Sequence, residues 1–284
     1  MKNILVTGSN GQLGNEIRTL STLYPDFNFW FTDVAELDIC DREAIRVFLK
    51  DKNPDYIINC AAYTAVDKAE SDTALCSKIN TEAVANLAEA AFMKNARIIH
   101  VSTDYVYSGT GFRPYLETDP TAPVSVYGLT KLEGENALFD RCSESIVLRT
   151  SWLYSTHGNN FVKTMIRLGK EKDTLGVIFD QIGTPTYAYD LALVILEIVK
   201  NEQFVSGVYN FSNEGVCSWY DFALKIHQLA GIQNCRVNPI ATEEYPTPAR
   251  RPYYSVMNKK KLKDTYGFRI PHWEESLRKC IAAL

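Results

Sequence analysis

Short aliphatic runs and longer amphipathic segments alternate through the first half of the chain. Ile4-Leu5-Val6 reads as a fully buried strand, and Thr7-Gly8 ends it. Leu13, Ile17 and Leu20 then mark the inward face of a helix. Phe27–Thr32 predicts a second strand, Tyr56–Asn59 a third, Arg97–Thr103 a fourth and Ser145–Arg149 a fifth. Asp41 is placed to cap a helix over Glu43–Lys50, with Ile45, Phe48 and Leu49 inward. Leu75, Ile79, Ala83, Leu87 and Ala91 recur every four residues, which predicts one inward stripe on a helix from Asp72 to Asn95. Another helix is expected from near Val124 to about Arg141. Such alternation implies an α/β fold with a parallel, doubly wound sheet. The segment Asp104–Ala122, rich in Gly, Pro and Thr, suits a functional loop at the carboxyl end of that sheet.

After Thr150 the rhythm changes. Trp152–Asn160 reads as loop, Phe161–Gly169 as a short helix and Val177–Phe179 as a strand. Gly183–Thr186 predicts a turn, Asp190–Lys200 a helix and Gly207–Phe211 a strand. Ser218 can cap a helix reaching Ala230, and Pro271 can open a last helix running to Leu284. Thr242–Tyr254, with three prolines and adjacent arginines, is expected to cross irregularly. The division expected is a nucleotide-binding domain over residues 1–152 and a smaller α/β substrate lobe over 153–284. The helix near 187–201 is expected to return to the sheet.

Composition narrows the classes. With 284 residues, 46% of them hydrophobic, the chain can build one large domain with a smaller lobe. No apolar run reaches the ~18 residues of a membrane span, and no signal-peptide pattern opens the chain, so the cytoplasm is the expected compartment. The seven cysteines show no C-x-x-C spacing and the four histidines are dispersed, so neither a disulfide framework nor a metal site is expected. A net charge of −4 gives no basic field for nucleic acid.

The chemistry begins at the first turn. Gly8, Gly11 and Gly14 follow a strand and open a helix, in the spacing G-x-x-G-x-x-G. Glycine allows close backbone approach, and the free N–H groups of a helix start face an anion, so the turn suits a diphosphate. Asp33, nineteen residues after Gly14, stands near the offset at which an acidic residue meets an adenosine ribose. Ala61 and Ala62, at the tip of the third strand, leave room for a flat ligand. Tyr127 and Lys131, four apart, share one helix face. A nearby ammonium lowers a phenol's pKa, so the pair can exchange a proton.

In this order, the motifs resemble the extended, nucleotide-sugar-modifying branch of the short-chain dehydrogenase/reductase superfamily, with its Rossmann-type fold. Ala62–Glu70, Ser102–Tyr107, Val126–Glu135, Arg149–Trp152, Gly158–Phe161 and Asp180–Thr186 together resemble the dTDP-4-dehydrorhamnose reductase family over essentially the whole chain. The resemblance implies a reduction of dTDP-4-dehydro-β-L-rhamnose by NADPH, NADH or both. It implies that Gly8, Asn10, Gly11, Gln12, Leu13 and Gly14 hold the cofactor's diphosphate. Asp33 would then meet the adenosine ribose, Asp38 and Ile39 the adenine, and Ala61, Ala62 and Tyr63 the path to the nicotinamide ribose. Lys131 would bond that ribose and tune Tyr127, the proton donor, while Thr103 polarises the carbonyl. Asp104, Trp152 and Asn160 would contact the dTDP-sugar, and Arg250 or Arg251 its diphosphate.

Two features qualify the resemblance. Some bacterial members form a metal-linked homodimer through acidic side chains. Glu16 and Glu274 match two of those positions, but Tyr189 stands at a third and is a poor ligand for a hard cation. Related dehydratases carry Asp-Glu after the catalytic Thr, whereas Thr103-Asp104-Tyr105 lacks the second carboxylate. Two alternatives share parts of the pattern: the non-catalytic regulatory subunit of methionine adenosyltransferase, and other nucleotide-sugar reductases or dehydratases. Arg149–Trp152 and Asp180–Gly183 favour the reductase over the regulatory subunit.

Overall fold

A computed structural model describes every residue of the chain except Glu202. The five expected strands form as β1 (Lys2–Thr7), β2 (Phe27–Thr32), β3 (Tyr56–Asn59), β4 (Arg97–Thr103) and β5 (Ser145–Thr150). Between them run α1 (Gln12–Leu20), α2 (Arg42–Phe48), α3 (Val66–Ala69), α4 (Thr73–Ser77), α5 (Ala83–Met93) and α6 (Val126–Arg141). Alternate residues of each strand serve opposite faces. Ile4, Val6, Ile58, Ile99 and Leu148 pack in one cluster with Leu13 and Ile17 of α1. Leu5, Ile57, Ile98 and Val147 pack in another with Ile45 of α2 and Leu87 of α5. Burial on both faces explains why these strands read as continuous aliphatic runs. Each such side chain contributes about 1.5–3 kcal/mol.

Asp41 caps α2 as expected, accepting from the Glu43 and Ala44 N–H groups. The stripe on the long helix differs from expectation. Leu75 is exposed, and Cys76 and Asn80 take the inward positions. A π-helical turn over Lys78–Glu82 separates α4 from α5 and resets the phase. It leaves Asn80 inward, accepting from the Tyr63 N–H at 2.9 Å.

The second half adds β6 (Leu153–Tyr154), α7 (Phe161–Glu171), β7 (Thr174–Ile178), β8 (Ile182–Gly183), β9 (Thr186–Tyr187), α8 (Ala188–Lys200) and β10 (Gly207–Asn210). There follow β11 (Cys217–Ser218), α9 (Trp219–Leu229), β12 (Arg236–Ile240), α10 (Lys260–Tyr266) and α11 (Trp273–Ala282). The chain crosses the expected boundary at residue 152 more than once. α8 packs its Leu191, Ile195 and Ile198 into the α1 face of the sheet. β10 pairs in parallel with β5, giving the six-stranded order β10-β5-β4-β3-β1-β2. The remaining elements build a lobe around Phe222, Trp273, Tyr154 and Val162. Three two-stranded pairs hold it: β7 with β12, β8 with β11, and β6 with β9. The expected loop at Trp152–Asn160 and turn at Gly183–Thr186 thus contain short paired strands, formed only when distant segments meet.

β1 lies between β2 and β3, so the winding reverses there. In open α/β sheets the crevice outside the carboxyl ends at that switch point takes the ligand. No helix among the described residues is long and apolar enough to cross a membrane.

Candidate active site

A cleft of about 850 Å³ opens at this point and extends under the lobe. Its floor is the first turn. Gly8 adopts φ +65°, and a Cβ there would stand 2.5 Å from the Ala61 nitrogen, so only glycine lets the ends of β1 and β3 close together. α1 begins at Gln12 with no side-chain cap, leaving its first N–H groups free for an anion. Asn10, Gly11, Gln12 and Leu13 line the cleft beside that helix start. The turn therefore fits a dinucleotide's diphosphate. Gly14 does not line it. A Cβ at Gly14 would meet Ser9 Cα at 2.5 Å, so this glycine seats the helix on the loop.

Asp33, Asp38, Ile39, Ala61 and Ala62 line the same end. Asp33 accepts from the Asn10 N–H at 2.9 Å and the Val34 N–H at 2.8 Å, which fixes its carboxylate toward the cleft. Tyr63 departs from its expected place. Its ring is buried behind the wall with Ala69 and Cys76, and its hydroxyl donates to Asp72. Arg18 stands beside the turn, donating to Ser9 Oγ at 3.0 Å over the Phe31 ring.

Tyr127 and Lys131 enter from α6. Ser125 caps this helix through the Gly128 N–H at 3.1 Å, and Glu70 accepts from the Val126 N–H at 2.9 Å. Burial pushes the Tyr127 phenol up to about 12, opposed by a hydrogen bond with Thr103. Burial also pushes Lys131 down to about 8. The expected lowering of Tyr127 by Lys131 is absent, because Lys131 Nζ is turned to Val101 O at 2.7 Å and to His100 Nε2 at 3.2 Å. Tyr127 is therefore a phenol near neutrality, the form that donates a proton. Thr103 Oγ1 accepts from the Tyr105 N–H and donates to Asp104 Oδ1 at 3.1 Å. Asp104 is buried, which raises its carboxyl to about 6 against the opposing pull of the Ser255 and Thr103 hydroxyls, and its Oδ2 makes no well-formed hydrogen bond among the described residues.

Trp152 forms the lobe side of the cleft. It holds φ +48°, a costly conformation for a bulky residue, while its ring stacks on Trp219 at 3.7 Å. The other expected substrate contacts are differently engaged. Asn160 caps α7 through the Lys163 N–H, and its amide donates to Gln12 Oε1 and Ser155 O, so it straps the lobe onto the diphosphate turn. Arg251 grips Asp67 with two bonds of 3.0 and 2.8 Å, and Arg250 is exposed; neither lines the cleft. Asp67 lies far from Arg251 in sequence, so spacing gave no sign of the pair.

The whole chain, residues 1–284, matches the family model described as RmlD substrate binding domain. The chain belongs to this family. It is 41% identical over 287 residues to a dTDP-4-dehydrorhamnose reductase of Aggregatibacter actinomycetemcomitans, covering 98% of each chain. Among solved structures, it resembles a dTDP-4-dehydrorhamnose reductase from Clostridium acetobutylicum at 46% identity and TM-score 0.95, covering 99% of each. Another from Bacillus anthracis, solved in complex with NADP, is 38% identical with TM-score 0.95 and full coverage of both.

Glu16 and Glu274, the two acidic residues that the resemblance set against metal-linked dimers, are each engaged within the chain. Glu16 is buried and accepts from Ser155 Oγ at 2.6 Å, and Glu274 pairs with Lys225 at 3.0 Å. No group of three or more His, Cys, Asp or Glu among the described residues could hold a metal ion. Sequence reasoning passed over His100, Asn80, Arg18 and Trp219. Only the fold brings His100 to Lys131, Asn80 to Tyr63, Arg18 to Ser9 and Trp219 to Trp152.

Proposed function

We propose that this protein is an oxidoreductase that converts dTDP-4-dehydro-β-L-rhamnose to dTDP-β-L-rhamnose, the final step in making activated rhamnose. The observation that carries this reading is the half-buried Tyr127, which lines with Thr103 the cleft into which the diphosphate turn opens. NAD(P)H, when bound, supplies the hydride. Gln12 and Leu13 at the α1 start would hold its diphosphate, and Asp33 would meet the adenosine ribose. Tyr127 gives its proton to the C4 oxygen as negative charge develops there. Thr103 turns its hydroxyl from Asp104 to that oxygen, adding a hydrogen bond where the charge appears. Asp104 Oδ2, which makes no well-formed hydrogen bond, has acceptor capacity left for a sugar hydroxyl. Asp33 disfavours a 2′-phosphate, while Arg18 beside the turn offers it a cation, so both cofactors fit. The reading takes the working compartment to be the cytoplasm and allows a homodimer that needs no bridging metal.

The test is turnover of the 4-keto sugar nucleotide, followed by loss of reduced-cofactor absorbance. Specificity (kcat/KM) for NADPH and NADH is expected to differ by less than ~100-fold, about 2.7 kcal/mol. Tyr127→Phe is expected to lower kcat by ~10²–10⁴, with the cofactor Kd within about fivefold (~1 kcal/mol). Reduction by Tyr127→Phe at the wild-type rate, or a 4-keto-6-deoxy product from dTDP-glucose and NAD, overturns the reading.

A further inference from the structure

His100 lies on β4 with no exposed surface, beneath the catalytic helix, and the Tyr127 mechanism does not use it. Its protonation can be read from a chain of fixed donors. The Ala61 N–H can only donate, and it meets Asn59 Oδ1 at 3.1 Å. The Thr7 hydroxyl donates to the same oxygen at 2.8 Å. The amide of Asn59 is thereby oriented, and its Nδ2, a donor without acceptor capacity, faces His100 Nδ1 at 3.0 Å. Nδ1 must accept, so the neutral ring carries its proton on Nε2. That Nε2–H points at Lys131 Nζ, 3.2 Å away.

An ammonium cannot accept this hydrogen, whereas an amine can. We propose that His100, oriented by Asn59, is a positioning residue that donates Nε2–H to Lys131 and favours its amine form, setting the upper pH limit of the reduction. Lys131 then donates to Val101 O while its lone pair receives the imidazole.

No other group around Lys131 reverses this. Glu135, one turn along α6, is already engaged by Arg149 at 2.6 Å and by the Ser102 hydroxyl at 2.5 Å. Cys60, after β3, has its thiol raised to about 12 by burial, and Cys76 of α4 is raised for the same reason, so both are neutral. Tyr127 is a phenol. Burial also lowers Lys131 to about 8 and His100 well below its ordinary value, in line with the geometry. As pH rises through this range Lys131 loses its proton. Lys131 lines the cleft one helical turn from Tyr127, so the cleft then loses a positive charge beside the place where negative charge develops during reduction.

The pH limit rests on the reductase reading; the ring's protonation does not. Nitrogen NMR of the full-length, ¹⁵N-histidine-labelled protein without ligands reports which ring nitrogen holds the proton, with His227→Gln assigning the other buried ring. The expected result is a bare Nδ1 and a protonated Nε2. The opposite tautomer, or a doubly protonated ring near neutral pH, overturns the proposal. In His100→Gln the amide oxygen can turn to accept from an ammonium. The alkaline limb of kcat is then expected to move up by about one pH unit or more, with the cofactor KM within about threefold. A lower kcat with an unmoved limb would make His100 a packing residue and also overturn the proposal. If His100→Gln does not fold, the NMR result decides. Absence of turnover in the wild type would count against the reductase reading and leave the tautomer result standing.

Discussion

Asp104 carries a charge whose burial costs stability. Its carboxyl is enclosed, and burial raises it from 3.8 to about 6, mainly because the charged form is cut off from water. The folded-state value thus lies above the unfolded one. Between the two values the native chain holds a proton that the unfolded chain releases. Stability falls as pH rises through that window, and above about 6 the full cost is present. The displacement corresponds to a cost on the order of 3 kcal/mol. Asp104→Asn keeps the shape without the charge. It is expected to be more stable than wild type by up to ~3 kcal/mol near pH 7.5, with the difference fading below about pH 4. Urea unfolding at the two pH values checks this, and equal stability at both would refute it. The same variant should raise the KM for the sugar nucleotide, because an acceptor-only carboxylate is replaced by an amide. Thr103 and Tyr127 were legible in the sequence because strand ends and four-residue helix spacing are local. The paired state of Arg251 was not, because its partner Asp67 lies 184 residues away in the chain.

At the scale of elements, α6, which carries Tyr127 and Lys131, is positioned by contacts too close for any side chain. A Cβ at Gly134 would lie 2.1 Å from the Asn80 carbonyl oxygen, and one at Gly128 2.3 Å from that of Tyr105. Backbone atoms on both sides leave no flexible group to yield. Gly134→Ala is therefore expected to push α6 off the π-helical turn, costing ~1–3 kcal/mol as overpacked cores do. Tyr127 and Lys131 ride on that helix, so kcat should fall by at least tenfold. Denaturant unfolding and steady-state kinetics measure the two effects. A variant with unchanged kcat would show that α6 has slack there. The central strands were readable because each is a run of buried aliphatics with its own boundaries. β12, the pairing of β6 with β9 and the place of the expected Gly207–Phe211 strand beside β5 were not, since such pairings depend on partners tens of residues away. The exposure of Leu75 was hidden because a spacing of four assumes an unbroken α-helix, and the π-helical turn shifts the phase.

For the whole molecule, the question is what keeps the lobe over the cleft. Two ties meet the sheet domain at its functional turns: Asn160 bonded to Gln12, and Arg251 bonded to Asp67. The second joins the segment before Tyr254 to α3, just after the Ala61–Ala62 wall. Burial in both partners is incomplete, with side-chain exposure of 23% for Arg251 and 41% for Asp67. Water screens such a pair, so its contribution to global stability is only ~0–1 kcal/mol. Its consequence for closure is larger in effect, because it opposes opening of the lobe and not unfolding of the chain. Arg251→Gln keeps length and donors but loses the charge and the two-pronged grip. Its unfolding free energy is expected to stay within about 1 kcal/mol of wild type. The KM for the sugar nucleotide should rise ~3–10-fold, about 0.7–1.4 kcal/mol, with the cofactor Kd little changed because the diphosphate turn is untouched. Salt provides an independent check. Raising ionic strength from ~0.05 to ~0.5 M shortens the screening length to a few ångströms. Wild-type KM should then climb toward that of Arg251→Gln, while the variant's stays nearly flat. Parallel salt responses in the two proteins would mean that the Asp67–Arg251 pair does not hold the lobe closed.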